Sequence, residues 1–221
     1  MISKELQEKI EELKKYNTPN ISDALDRLGI NGQAYGIKPL KFGTKAVGPV
    51  FTVKYLPTGL VKTGAGEYID DVPEGYVVVL DNEGRTNCTS WGDILTKVAI
   101  RNKLAGTIIN GVCRDVDVIL ELDYPMFSKD YYMRTGKDRA AQSAVNVPVT
   151  VGDVVVHPED IAVADESGVI FVPKSKLDEI LELCREIFEA EEKIEEAVNS
   201  GMRLDEARKT FKYDKLNRRM E

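Results

Sequence analysis

The chain has 221 residues, 43% of them apolar and 30% charged, enough to bury about 70% of the unfolded surface around a substantial core. Thirty Lys and Arg against 37 Asp and Glu leave a formal net charge of −7, which argues against a nucleic-acid partner but leaves room for a local basic pocket. The one histidine, His157, excludes H-E-x-x-H zinc chemistry, and Cys88, Cys113 and Cys184 form no C-x-x-C pair, so any resident metal would be a hard cation on oxygen ligands.

The N-terminal MISKELQEKI is charged and lacks a signal-peptide core, and no apolar stretch reaches the roughly 20 residues that span a bilayer, so a cytoplasmic protein without a membrane partner is expected. Ser3 caps a first amphipathic helix, about residues 4–16, with Leu6, Ile10 and Leu13 on one face. Thr18-Pro19 opens a second helix with the stripe Ile21, Leu25 and Leu28, ended by Gly29. Residues 30–45 read as loop. Val47 to Tyr55 reads as a strand in which Gly48-Pro49 marks an edge or a bulge. After a Gly-rich segment at 56–66, Tyr76–Asp81 carries three consecutive valines and suits a strand buried on both faces.

The middle alternates. A helix over about 93–104, an apolar strand at 107–110 broken by Gly111, a short helix over 115–122 and a strand at Met126–Phe127 suggest parallel pairing. Residues 128–146 read as a polar loop with Lys129, Arg134, Lys137 and Arg139. Val147–Val151, Val154–His157, Ile161–Ala164 and Val169–Val172 are short strands of the kind found in an antiparallel meander or small barrel. Ser175 opens the longest helix with a start like a capping box, Asn199-Ser200-Gly201 ends it, and a basic tail follows. No repeat or linker divides the chain, which predicts one α/β domain over 1–221 with helical N- and C-terminal extensions, the latter about 175–221.

Two elements could carry chemistry. Gly92-Asp93-Ile94-Leu95 places a glycine just ahead of a helix whose first N–H groups lack internal partners, a possible cradle for a carboxylate or phosphate. The plainer reading is a helix capped by Ser90 or Asp93. Gly111-Val112-Cys113-Arg114-Asp115 follows a buried strand, where ligands of open α/β sheets bind. Arg114 could grip a carboxylate with its planar fork and Asp115 could hold a hard cation. Here the plainer reading is that Asp115 caps the next helix and Arg114 is solvated. His157 reads as a turn or edge-strand residue without a catalytic role and Cys113 as a small buried side chain. No dinucleotide fingerprint or P-loop is present.

Four segments in order, Ile21–Asp26, Trp91–Leu95, Ile108–Asp115 and Asp160–Val169, resemble the divalent-metal-dependent 4-hydroxy-4-methyl-2-oxoglutarate/4-carboxy-4-hydroxy-2-oxoadipate aldolases, a family that includes the regulator of ribonuclease E activity A. The resemblance covers most of the chain. It implies a swivelling β/β/α fold, like that of phosphohistidine domains, and a homotrimer or hexamer. It places a pyruvoyl carboxylate on the N–H groups of Ile94 and Leu95 beyond Gly92 and on Arg114. It places Mg2+ or Mn2+ on Asp115, otherwise on water, and gives proton transfer to Asp93. An acid expected two residues beyond the Arg-Asp pair is Val118 here, with Asp117 one place early. The implied activity is retro-aldol release of pyruvate from a 4-hydroxy-2-oxo acid, with oxaloacetate decarboxylation through the same enolate. The alternatives are a non-catalytic protein that binds and regulates a ribonuclease, and a methyltransferase. The second would need a glycine-rich nucleotide loop that the sequence lacks.

Overall fold

A computed structural model of the chain describes residues 2–58 and 66–213. Helices α1 (Lys4–Leu13) and α2 (Thr18–Leu28) come first. Ser3 Oγ accepts from Leu6 N at 3.2 Å, and Asn17 and Asn20 form a reciprocal cap at the start of α2. Gly29, at φ +66°, ends α2 in a left-handed conformation that costs glycine nothing. The segment expected as loop contains two short strands, β1 (Gln33–Ala34) and β2 (Lys38–Pro39).

The centre of the molecule is β3 (Ala46–Pro57), β4 (Val77–Asp81), β5 (Thr89–Trp91), α3 (Asp93–Arg101), β6 (Gly106–Cys113), α4 (Val116–Glu121) and β7 (Met126–Tyr131). Strands β3, β4, β6 and β7 pair in parallel in that order, as the alternation of strands and helices predicts. All five residues of β4 and all eight of β6 are buried, the pattern of strands covered on both faces. The remainder is β8 (Ala140–Val145), β9 (Val149–Val151), β10 (Val154–Val156), β11 (Ile161–Ala164), β12 (Val169–Val172), α5 (Leu177–Asn199) and α6 (Leu204–Thr210). The full strand order is β1-β12-β11-β3-β4-β6-β7-β2, with β5 beside β6 and β8 beside β3.

Three apolar clusters give the layers. On one face of the parallel sheet, Val53, Tyr55, Leu80, Ile109 and Met126 pack with Ala99 of α3 and Ile119 of α4. On the other, Val50, Val79, Ile108 and Phe127 pack under the β9–β10 hairpin through Val149, Val151, Val154 and Val156. The third joins α1, α2 and α5 to β11 and β12 through Leu13, Leu25, Val163, Ile170 and Ile187. This is the α/β, β/β/α arrangement expected. No helix among the described residues is long and apolar enough to cross a membrane.

Several local expectations change. Gly48-Pro49 marks neither an edge nor a bulge: β3 pairs with β11 through Ala46–Pro49 and with β4 through Val50–Lys54, so the missing N–H of Pro49 falls where the strand passes from one partner to the next. Gly111 does not break β6, which continues to Cys113. A Cβ there would stand 3.1 Å from Asn82 Cβ and 3.2 Å from Arg85 O, so close packing explains the glycine. The supposed loop 128–146 contains the end of β7 and all of β8. The last four strands are not one meander, because β9–β10 is a separate hairpin while β11 and β12 join the main sheet. Helix α5 starts after a 3-10 turn at Lys174–Lys176, without a side-chain cap. Gly64 and Ala65, with most of the 56–66 segment, and residues 214–221 of the basic tail lie outside the described residues.

Candidate functional site

Parallel pairing brings together the two sequence elements singled out above. Strand β5 runs beside the C-terminal end of β6, with Trp91 opposite Cys113, and the Arg114 N–H donates to Trp91 O at 3.0 Å. Gly92 and Arg114, 22 residues apart, are therefore neighbours. Gly92 is the cap residue of α3, and no side chain caps that helix, so neither Ser90 nor Asp93 acts as the plainer reading supposed. The first-turn residues Asp93, Ile94 and Leu95, whose N–H groups have no partner within α3, lie on the wall of a cleft of about 240 Å3 that also contacts Arg114.

Asp115 stands at the cap position of α4 but makes no capping bond to its own helix. Its carboxylate turns toward α3 instead. Oδ2 accepts from Asp93 N at 3.1 Å and pairs with Arg114 Nε at 3.3 Å. The backbone of Asp115 is left-handed, at φ +56°, a conformation that aspartate tolerates better than most residues and that costs about 1 kcal/mol or more. A strained aspartate that leaves its own helix uncapped in order to reach a second one is positioned for something other than helix stability.

The glycine at 92 is required by this contact. A Cβ there would stand 2.6 Å from Asp115 Oδ2 and 3.2 Å from Arg114 Nε. The φ of −154° is ordinary for any residue, so Gly92→Ala would meet a side-chain clash and no backbone strain. The carboxylate of Asp115, at the end of a movable side chain, would give way. Gly92→Ala is expected to melt within about 3 °C of the parent, since removing one partly exposed contact costs roughly 1 kcal/mol in a chain this long, and to lose most of whatever activity depends on Asp115. Thermal melts beside turnover assays check this.

The other predicted residues fall as follows. Asp93 is held below the usual carboxylate range chiefly by the Lys97 ammonium, 2.7 Å away on the next turn of α3, and Lys97 is raised in return. Asp117 is exposed on α4, and neither it nor Val118 lines the cleft. Of the basic residues in 128–146, only Lys137 reaches the cleft, with Thr135 and Gly136. Arg134 lies over the Tyr132 ring, and Arg139 donates to Thr135 O and Lys137 O. Tyr55 and Trp91 form part of the cleft wall; Trp91 belongs to a segment that carries the resemblance, whereas Tyr55 carried no functional signal in the sequence. Burial pushes the Cys113 thiol up to about 11, so it stays protonated beside Arg114. His157 lies in the turn between β10 and β11, its N–H bonded to Asp160.

A family model described as RraA-like, aldolase/RraA, matches residues 18–171. The chain belongs to the RraA-like family. It is 40% identical over 208 residues to protein DlpA of Legionella pneumophila, a match that covers 93% of this chain but only 34% of that protein. The chain therefore spans about a third of that relative's length. A Halalkalibacterium halodurans protein, provisionally named a 4-hydroxy-4-methyl-2-oxoglutarate aldolase, is 28% identical over 87% of this chain and 90% of its own. Among solved structures, an uncharacterized Pseudomonas syringae protein superposes with a TM-score of 0.86 at 40% identity, covering 91% of this chain and 97% of the other. Streptomyces coelicolor RraAS2, described as an unusual member of the RNase ES inhibitor RraA protein family, gives 0.77 at 28% identity, covering 84% and 94%.

Among the described residues of this RraA-like chain, no group of three His, Cys, Asp or Glu side chains could enclose a metal ion. Asp115 nevertheless has one carboxylate oxygen, Oδ1, outside the two contacts made by Oδ2. A single carboxylate completed by water and substrate oxygens is a donor set that magnesium or manganese accepts and zinc disfavours.

Proposed function

We propose that the chain is a divalent-metal-dependent carbon–carbon lyase that cleaves a 4-hydroxy-2-oxo acid by retro-aldol reaction, releases pyruvate, and decarboxylates oxaloacetate at the same site. The observation that supports this most directly is the Asp115 carboxylate, turned off its own helix toward Asp93 and Arg114, both of which line the cleft. The substrate carboxylate would sit on the N–H groups of Ile94 and Leu95 and on the Arg114 guanidinium, which suits a planar, two-oxygen anion. Asp93, kept ionised by Lys97, would take the proton of the C4 hydroxyl. The C3–C4 bond then breaks, C4 becomes a carbonyl, and the electron pair passes to C3 as the enolate of pyruvate. Return of a proton to C3 completes the reaction. Arg114 places a fixed positive charge where the enolate oxygen develops. Magnesium or manganese, held by Asp115 and water, would supply further positive charge against the same oxygen.

The test is pyruvate release over a panel of 4-hydroxy-2-oxo acids and oxaloacetate, before and after exhaustive chelation. Activity is expected to vanish with chelator and return with magnesium or manganese. Full activity in the metal-free protein would remove the metal from this reading. The similarity to RraAS2 favours a second reading, a protein that binds and regulates a ribonuclease, in which no pyruvate is released from any member of the panel. We further propose a homotrimer or a hexamer of stacked trimers, acting on small molecules and not on nucleic acid. Light scattering at micromolar concentration is expected to report at least three chains, and a monomer would rule the assembly out.

A further inference from the structure

The start of α3 is held from behind the cleft. The contact with Asp115 requires a glycine at position 92, and glycine has no side chain with which to cap the helix. Two buried side chains hold the first turn instead: Trp91 is 2% exposed and Thr96 not at all.

Trp91 Nε1 donates to Thr96 Oγ1 at 2.8 Å, and Thr96 Oγ1 donates to Gly92 O at 3.0 Å. The directions are fixed, because an indole N–H can only donate, so the hydroxyl accepts there and gives its one proton to the carbonyl. Gly92 O also accepts from Thr96 N at 3.1 Å and is thus gripped twice by one residue. The indole is fixed in turn by stacking on Tyr124, with ring centroids 6.2 Å apart and planes 6° from parallel. The Tyr124 hydroxyl lies 2.9 Å from Thr107 Oγ1.

The main chain of Trp91 is held as firmly. Its N–H donates to Thr89 Oγ1 at 3.1 Å, while its carbonyl lies 2.7 Å from that hydroxyl and accepts from Arg114 N at 3.0 Å. One residue therefore joins both halves of the site. Its carbonyl fixes the Arg114 backbone, and its ring, through Thr96, fixes the direction of the first N–H groups of α3. An apolar pair of similar volume would fill this space without burying a polar side-chain atom. The bonds made here end on the backbone of Trp91 and Gly92, at the junction between β5 and α3.

We propose that Trp91 and Thr96 are positioning residues for anion binding in the cleft. The chain from indole to hydroxyl to carbonyl aims the N–H groups of Ile94 and Leu95 and keeps Asp93 N against Asp115. The identity of the anion, a 2-oxo carboxylate, rests on the lyase reading; the positioning role does not.

Thr96→Val removes the hydroxyl at nearly constant volume, and Thr96→Ser keeps it while deleting a buried methyl group. Both variants should lose stability, so melting temperature does not separate them, whereas the bond to the indole does. Trp91 is the one tryptophan of the chain, so its indole N–H gives a single NMR signal. That signal should move in Thr96→Val and stay near the parent position in Thr96→Ser. In the ligand-free full chain, the Asp93 amide should exchange with solvent about tenfold faster in Thr96→Val and close to the parental rate in Thr96→Ser. With magnesium present, pyruvate is titrated against the amide signals of Ile94 and Leu95. It should bind about tenfold more weakly to Thr96→Val and within about threefold of the parent to Thr96→Ser. An unchanged Asp93 exchange rate in Thr96→Val, or equal loss of pyruvate binding in both variants, would reduce the pair to packing and overturn the proposal. A parent chain that binds no pyruvate would remove the lyase reading alone, and the Asp93 exchange rates would then decide the positioning role by themselves.

Discussion

Asp115→Asn is expected to lower pyruvate release by about a hundredfold or more, the roughly 3 kcal/mol that one charged contact to a developing oxyanion supplies, while the protein melts close to its parent. The substitution is unusually clean at this position. Asparagine tolerates the left-handed backbone at φ +56° as well as aspartate does. Its amide oxygen can still accept from Asp93 N, so the bond between the two helix starts survives. The negative charge opposite Arg114 and the anionic ligand for a cation do not. Arg114→Lys is the companion: it keeps the charge and loses the fork, so it should chiefly weaken substrate binding, with a smaller loss of turnover. Pyruvate formation by the parent and both variants, with thermal melts as the folding control, decides the matter. If Asp115→Asn stays folded and turns over like the parent, the site has been placed on the wrong residue.

The largest stability loss is expected from Asp165→Ala. Asp165 is buried at the end of β11 and accepts three hydrogen bonds: Thr18 N at 2.7 Å, Thr18 Oγ1 at 2.6 Å and Ser167 N at 2.9 Å. It therefore ties the first turn of α2 to the β11–β12 turn, and its charge also favours the positive end of that helix. Truncation leaves Thr18 N and Thr18 Oγ1 without this acceptor in a buried place and also removes the bond from the more exposed Ser167 N. A loss of about 3 kcal/mol follows, which at this chain length lowers the melting temperature by roughly 6–12 °C. Calorimetry on Asp165→Ala and Asp165→Asn checks it, and the amide variant should recover part of the loss. A drop below about 2 °C in the alanine variant would mean that water or a neighbour replaces the carboxylate.

The sequence made the parallel core readable because a run such as Val77-Val78-Val79-Leu80 leaves few alternatives to a doubly buried strand. It also marked both halves of the candidate site, Gly92–Leu95 and Arg114-Asp115. Their juxtaposition was out of reach from local pattern, because it depends on β5 pairing with the far end of β6. The 128–146 segment misled for a related reason: its strands β7 and β8 carry Lys129, Asp130 and Gln142, and edge and rim positions tolerate such residues where a central strand would not. Asp165 lies in a segment that carried the family resemblance, yet its partners are structural. Lys137 lines the cleft next to Gly136, which packs so closely on Thr89 that a Cβ there would overlap the Thr89 carbonyl oxygen, a tertiary contact that no local pattern announces.

The changeover of partners along β3 sets an order of events at the ribosome. Its first half must wait for β11: Ala46 pairs with Ala164, 164 − 46 = 118 residues later. At 5–20 residues per second that wait is roughly 6–24 s. Over the same interval β4 and β6 have emerged, so β4 can dock on its second half and β6 on β4, leaving Ala46–Pro49 with an unpaired flank and no charged side chain to protect it. Until β11 emerges, that flank is an open edge of the nascent sheet, held only by how briefly the chain is caught between the two docking events.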